Sequence, residues 1–393
     1  MISVTLADRL RHVESSPTLA LAATAKALAQ AGKAVLDFTA GEPDFPTPEP
    51  IKQAGIQAIQ TDHTRYTPVA GTPELRAAIA ASVNRERQTS YTASQTIATC
   101  GTKHALFNVF QTLCQSGDEV LIVSPYWVSF PPIVHLSGAT PVIVETTEAD
   151  RFLPDLDAVR GALSDATKAI IVNSPSNPTG AVIDEERLKA IAHIALERDL
   201  VIISDEIYDQ LVYPPARHVS IVQAEPKVLD RTIIVGGVSK TYSMTGWRIG
   251  YALGPQPWID AMINLQSHST SNPASISQQA AVAALTGDQQ PVTRMLKEFQ
   301  QRRDRLVSGL NRLGPLRCTI PGGAFYAWCN VSRLGQSAGA TAAQWLEEAL
   351  IATVPGEGFG APGFIRFSFA TSLHTIDEAL QRLDRWLTQR KQR

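Results

Sequence analysis

With 393 residues, 44% of them hydrophobic and 18% charged, the chain has a globular composition and enough length for two domains, or one large domain with a satellite. A formal net charge of -2, with basic residues scattered apart from Arg390-Lys391-Gln392-Arg393, gives no electrostatic reason to expect nucleic acid or an anionic membrane as partner. No apolar run reaches membrane-spanning length, no signal-type apolar core surrounds Asp8 and Glu14, and Cys100, Cys114, Cys318 and Cys329 lack metal-ligand or C-x-x-C spacing, so the expectation is a cytoplasmic protein without a metal site.

Residues 3–31 read as helix and coil, with alanine-rich 19–30 carrying the helix propensity. Residues 35–38 form a short strand that runs into a proline-punctuated loop, where a domain crossover is placed. Residues 51–59 read as an amphipathic helix, and another starts near Pro73, a residue suited to a first helical turn. The strand 96–100 leads into Gly101-Thr102-Lys103-His104, a turn entering a helix. Strand, small-residue turn and helix N-terminus together make an anion site, although a plain helix cap explains the same residues.

Strands at 119–123, 141–144, 168–172, 200–203 and 232–235 then alternate with helical stretches such as 185–198. This alternation predicts an α/β fold with a mostly parallel central sheet flanked by helices. From about Pro291 the texture changes to long charged helices, 294–313 and 341–350, with strands at 324–328 and 364–369. The resulting division is 1–47 as an N-terminal segment joining a small α+β domain, 48–285 as the large domain, and 286–393 as the small C-terminal domain.

Open α/β sheets bind ligands at the carboxyl ends of their strands. There the sequence places Trp127, Asn177, Asp205, Tyr208 and Lys240, the last within Gly236-Gly237-Val238-Ser239-Lys240 and eight residues before Arg248. Each has a plainer reading: Trp127 as core, Asn177 as a turn, Asp205 as the cap of a helix beginning there, Tyr208 as helix packing, Arg366 as a structural ion pair. Together they suit an aromatic heterocycle with a ring nitrogen, a phenolic oxygen, an aldehyde and a phosphate, which describes pyridoxal 5'-phosphate. Asp205 would keep the ring nitrogen protonated, Asn177 and Tyr208 would bond the phenolic oxygen, Trp127 would stack, and Lys240 would form a Schiff base. Gly101, Thr102, Ser239 and Arg248 would hold the phosphate.

The segments Ala40-Gly41-Glu42-Pro43-Asp44-Phe45, Tyr66-Thr67-Pro68, Ser174-Pro175-Ser176-Asn177-Pro178-Thr179-Gly180 and Ser239-Lys240-x-x-x-Met244-x-Gly246-Trp247-Arg248-x-Gly250, with Arg366, resemble the class I aminotransferases of the fold type I pyridoxal-phosphate superfamily over essentially the whole chain. The resemblance implies a homodimer with shared active sites, Tyr66 of one chain reaching the cofactor phosphate of the other. It also implies cis peptides before Pro125 and Pro178, and substrate carboxylate binding by Gly41, Trp127, Asn177 and Arg366. The implied reaction is a ping-pong transfer of an amino group in which Lys240, once freed, moves the α-proton.

The stretch Gly101 to Asn108 is similar to that of bacterial aspartate aminotransferases, where a lysine at the position of Lys103 pairs with the distal carboxylate of the substrate. Aspartate with 2-oxoglutarate is therefore the expected pair, with prephenate as a second acceptor and aromatic or alanine transamination as the alternative. One departure is Gly237, where many relatives carry a hydroxyl residue, which leaves one phosphate contact in question. A dinucleotide site is disfavoured, since Gly356-Glu357-Gly358-Phe359-Gly360-Ala361 runs into Pro362-Gly363 and opens no helix.

Overall fold

A computed structural model describes residues 7–11, 13 and 17–392, so positions 3–6, 12 and 14–16 of the segment expected as helix and coil, and Arg393 of the basic C-terminus, lie outside the described residues. The strands, in chain order, are β1 (Leu36–Asp37), β2 (Thr96–Thr99), β3 (Glu119–Val123), β4 (Thr140–Val144), β5 (Thr167–Asn173), β6 (Val201–Asp205) and β7 (Thr232–Gly237). They continue with β8 (Gly250–Leu253), β9 (Arg317–Cys318), β10 (Tyr326–Asn330), β11 (Ile351–Ala352), β12 (Val354–Pro355) and β13 (Phe364–Ser368).

Seven of these form one sheet in the order β2-β8-β7-β6-β5-β3-β4. All run the same way except β8, which is antiparallel to both β2 and β7. The apolar strands bury both faces, as parallel strands covered by helices must. Leu121, Ile170, Ile202 and Ile234 pack on one side with Leu188 and Ile191 of the helix Glu185–Glu197. Ile122, Ile171, Ile203 and Ile233 pack on the other with Leu106, Val109 and Phe110 of the helix Thr102–Leu113. Alternation along each strand thus feeds two cores, and the carboxyl ends of the six strands that run together are left at one edge for chemistry.

The C-terminal part builds a second, antiparallel sheet in the order β12-β13-β10-β9. The helix Gln290–Arg312 packs against β9 and β10, and the helix Leu373–Gln392 packs on that helix. β1 pairs in parallel with β11, which ties the N-terminal segment to this unit. The peptide bonds before Pro125 and Pro178 are cis, as are those before Pro175 and Pro215.

One strand has no counterpart in the sequence reading, and one of the plainer readings fails. The strand β8 carries no repeat of its own in the sequence; four residues long and antiparallel, it needs no crossover helix to announce it. No helix begins at Asp205 either. The Glu206 N–H continues the ladder to the Val235 carbonyl at 2.9 Å, and residues 206–210 form a turn. The Glu206 side chain is drawn into the interior, where it meets Arg87 Nε at 2.7 Å, Ser220 Oγ at 2.6 Å and Ser204 Oγ at 2.8 Å. That network competes with helical geometry and wins. Among the described residues no helix is long and apolar enough to cross a membrane.

Candidate active site

Lys240 stands three residues beyond the end of β7, and its Nζ donates to the Gly41 carbonyl at 2.6 Å. Burial lowers its pKa to about 8; Arg248 and Arg366 push in the same direction, while Glu42 and Asp205 oppose them. A lysine so placed supplies a neutral, nucleophilic amine near physiological pH. In the cofactor-free chain, labelling of Lys240 by an amine-reactive reagent should therefore rise with a midpoint near pH 8, below that of exposed lysines. Peptide mass spectrometry across a pH series measures this, and a midpoint shared with surface lysines would contradict it.

Arg248 adopts a left-handed backbone with φ of 57°. Its Nη1 donates to the Thr245 carbonyl at 2.8 Å and its Nη2 to the Cys100 carbonyl at 3.3 Å. This lays the guanidinium against Gly101, whose φ is +87° and where any Cβ would strike Arg248 Nη2. Glycine is required there on both counts. The next residues open the helix Thr102–Leu113, whose first N–H groups have no intrahelical partner and face the same place as the guanidinium. With buried Ser239, these groups form a cradle for a multiply charged anion.

Gly237 also has a steric reason. A Cβ there would lie 2.5 Å from Thr102 Oγ1, which donates to the Gly236 carbonyl at 3.0 Å. The Thr102 hydroxyl occupies the space that a side chain at 237 would need.

Asp205 ends β6 and is buried. Desolvation pushes its carboxyl up to about 7, with Glu206 adding to the rise and the Ile207 N–H and Lys240 holding it back. Its Oδ1 accepts the Ile207 N–H at 3.2 Å. A carboxylate so poorly compensated favours a cationic N–H partner. Tyr208 is buried with its hydroxyl 2.9 Å from that of Tyr326. Asn177 is buried too; its N–H is held by Asn173 Oδ1 at 3.2 Å and its Oδ1 accepts from Arg366, so the Nδ2 end faces inward as a donor.

Arg366 is the most buried of the three cations Lys240, Arg248 and Arg366. It is 2% exposed, donates from Nη1 to Asn177 Oδ1 at 3.0 Å and from Nη2 to the Thr39 carbonyl at 2.9 Å. Its guanidinium lies 4.4 Å from the ring centre of Tyr326 and 5.1 Å from that of Phe359. Its Nε is buried without a partner, and no carboxylate among the described residues is within ion-pair distance. Burial pushes its pKa down. The structural ion pair that the sequence allowed is absent among the described residues, and a buried cation without an anion is costly unless a ligand supplies one.

Lys103 lies on the first turn of the helix Thr102–Leu113, with Nζ 4.9 Å from the ring centre of half-buried Trp127. Gly41 contributes its carbonyl to Lys240. Tyr66 is not part of these contacts: it projects from the loop between the helices Glu49–Gln60 and Pro73–Arg87, 92% exposed. Sequence reasoning missed Tyr326, Phe359, the Thr39 carbonyl and Glu42, whose Oε2 accepts from Thr245 Oγ1 at 2.5 Å. Tyr326 could be found only through the β10–β13 register, in which Trp328 faces Arg366 and Tyr326 faces Ser368.

A nucleophilic lysine, an anion cradle, a proton-hungry carboxylate and a buried guanidinium at one sheet edge match a known group of proteins. The sequence profile "Aminotransferase class I and II" matches residues 33–383. The chain is 45% identical to the aspartate aminotransferase of Geobacillus stearothermophilus, over 98% of this chain and 99% of that one. It is 44% identical to the aspartate/prephenate aminotransferase of Thermus thermophilus, over 97% and 98% of the two chains. The solved structure of Thermus thermophilus aspartate aminotransferase with maleate superposes with a TM-score of 0.93 at 42% identity, covering 98% of this chain and all of that one. The fold, the cluster around Lys240 and the full-length likeness agree: the chain belongs to the class I and II aminotransferase family.

Proposed function

We propose that the protein is a pyridoxal 5'-phosphate-dependent aspartate aminotransferase, which passes the amino group of L-aspartate to 2-oxoglutarate and yields oxaloacetate and L-glutamate. The observation that carries the reading is Arg366, a buried guanidinium with an orphaned Nε and no carboxylate partner among the described residues. Lys103, over Trp127, supplies a second cation for a second carboxylate.

The site fits the cofactor on its own terms. The cradle of Gly101, Thr102, Ser239 and Arg248 excludes a Cβ and suits a phosphate. Asp205, raised by burial, suits a protonated ring nitrogen, and Asn177 Nδ2 with Tyr208 suits a phenolic oxygen. When bound, pyridoxal 5'-phosphate supplies a carbonyl that takes up the amino group and a ring that accepts the electron pair left by the α-proton.

The chain's own residues supply the rest. Arg366 binds the substrate α-carboxylate and Asn177 steadies that guanidinium, which orients the Cα–H bond. Lys240 Nζ, its pKa lowered to about 8 by burial, accepts the α-proton in its neutral form and returns it, with the Gly41 carbonyl fixing the amine's position. Asp205 holds the ring-nitrogen proton. Trp127 presents a flat face for stacking. We further infer a homodimer in which exposed Tyr66 completes the partner's phosphate site, and a cytoplasmic location, which suits four free cysteines.

Steady-state turnover of aspartate, alanine, tyrosine and prephenate tests the substrate assignment. Aspartate should lead, and Lys103→Ala should cut the preference for aspartate over alanine by about 10- to 100-fold, the worth of a hydrogen bond between charged groups. Equal rates with alanine, or an unchanged preference in Lys103→Ala, would refute it. Prephenate remains a second acceptor on a specific ground: its ring carboxylate can use the same Lys103 beside Trp127.

A further inference from the structure

We propose that Tyr326 is a positioning residue of the reaction: its hydroxyl donates to the Tyr208 hydroxyl, which commits the Tyr208 proton to the phenolic oxygen of the cofactor. This rests on the cofactor reading above and assigns a role to a residue which that reading does not use.

The two hydroxyls are 2.9 Å apart, and either atom can be the donor. Only one direction serves the site. If Tyr208 donates to Tyr326, its proton is spent within the protein and a negative phenolic oxygen would face lone pairs. If Tyr326 donates, Tyr208 keeps its own proton for that oxygen, and the first bond polarises the second. Both phenols stay protonated, because burial pushes each of them up.

Tyr326 is held in place independently of Tyr208. It is fully buried, its ring meets that of Tyr208 edge-on at 5.9 Å, and its face supports the Arg366 guanidinium. Two residues earlier, Ala324 is fully buried with φ of 56°, a left-handed conformation that an alanine adopts only at a steric cost. That conformation is fixed by the Ala324 N–H to the Leu211 carbonyl at 2.8 Å and by Tyr213 Oη to the Ala324 carbonyl at 2.5 Å. Just before it, Gly323 passes so close to Pro175 that a Cβ would lie 2.6 Å from that ring. The Gly322-Gly323-Ala324 turn therefore presses β10 against the loop that carries Asn177, and one strand sets Tyr208 and Arg366 together.

The test is the pH titration of the visible absorbance of the holoenzyme, compared among wild type, Tyr326→Phe, Tyr208→Phe and the double variant. A phenolic oxygen less well stabilised as an anion holds nearby protons more tightly, so loss of Tyr208's donor raises the midpoint. Tyr326→Phe keeps the ring and should raise it in the same direction by roughly 10–30% of the Tyr208→Phe shift, a few tenths of a pH unit. The double variant should titrate like Tyr208→Phe alone, since Tyr326 acts only through Tyr208. A Tyr326→Phe curve that superposes on wild type, or a double variant whose shift is the sum of the singles, overturns the inference. A wild-type holoenzyme without a pH-dependent visible band overturns the cofactor reading itself, and this inference with it.

Discussion

Lys240→Ala should lower kcat with aspartate by about 10^4-fold or more while leaving the fold intact. The amine is asked for two things, nucleophilic attachment and movement of the α-proton, and general-base action alone is worth about 10^2 to 10^4. No neighbour can replace it. The charged groups in its electrostatic surroundings are Arg248 and Arg366, guanidiniums that offer no base, and Asp205 and Glu42, which are engaged with the ring nitrogen and with Thr245. Lys240→Arg separates charge from chemistry: it keeps a cation beside the Gly41 carbonyl but cannot deprotonate, so it should be as inactive as alanine. Stability should change little, since Lys240 contributes one hydrogen bond and its burial is unfavourable to its charged form. Retention of more than about one hundredth of wild-type kcat in either variant would remove Lys240 from the proton transfer.

Arg366→Met should lower kcat/KM by roughly 30- to 3,000-fold, the range for removing one partner of a buried, hydrogen-bonded charge pair. The loss should be similar for aspartate and alanine, because every amino acid carries the α-carboxylate. Lys103→Ala, by contrast, should affect only substrates with a second carboxylate. That crossed pattern distinguishes the two cations better than either loss alone. The thermal midpoint of the cofactor-free protein should move little, because removing a buried charge offsets the cost of leaving Asn177 Oδ1 and the Thr39 carbonyl without their donor. A large loss of stability with a small loss of kcat/KM would make Arg366 structural.

Much of this was legible in the sequence because parallel strands buried on both faces, such as Ile202-Ile203 and Ile233-Ile234, read as continuous apolar runs, and their polar successors mark one edge of the sheet. The loop from Gly236 to Gly250 was legible through residue types whose reason is steric: Gly237 makes room for Thr102, and the left-handed Arg248 lies on Gly101. The rest depends on register. Strand β8 is short and antiparallel, and β9, β11 and β12 are two residues each, too short for any period. Tyr326 looked like an ordinary strand residue, since its partners Tyr208 and Arg366 lie 118 and 40 positions away in sequence and meet it only through the turn at Ala324. The helix that the plainer reading of Asp205 required does not form, because a buried carboxylate network at Glu206 outweighs local propensity. The role proposed for exposed Tyr66 calls for a second chain, which no single-chain pattern displays.

The central claim is that Lys240, Asp205 and Arg366 form one site for amino-group transfer from aspartate. It is tested most directly by mixing the purified holoenzyme with L-aspartate and no 2-oxo acid, and measuring oxaloacetate together with the visible spectrum. About one oxaloacetate per chain should form, with a matching loss of the visible band and its recovery on adding 2-oxoglutarate. No oxaloacetate, or continuous oxaloacetate release without an acceptor, would contradict it.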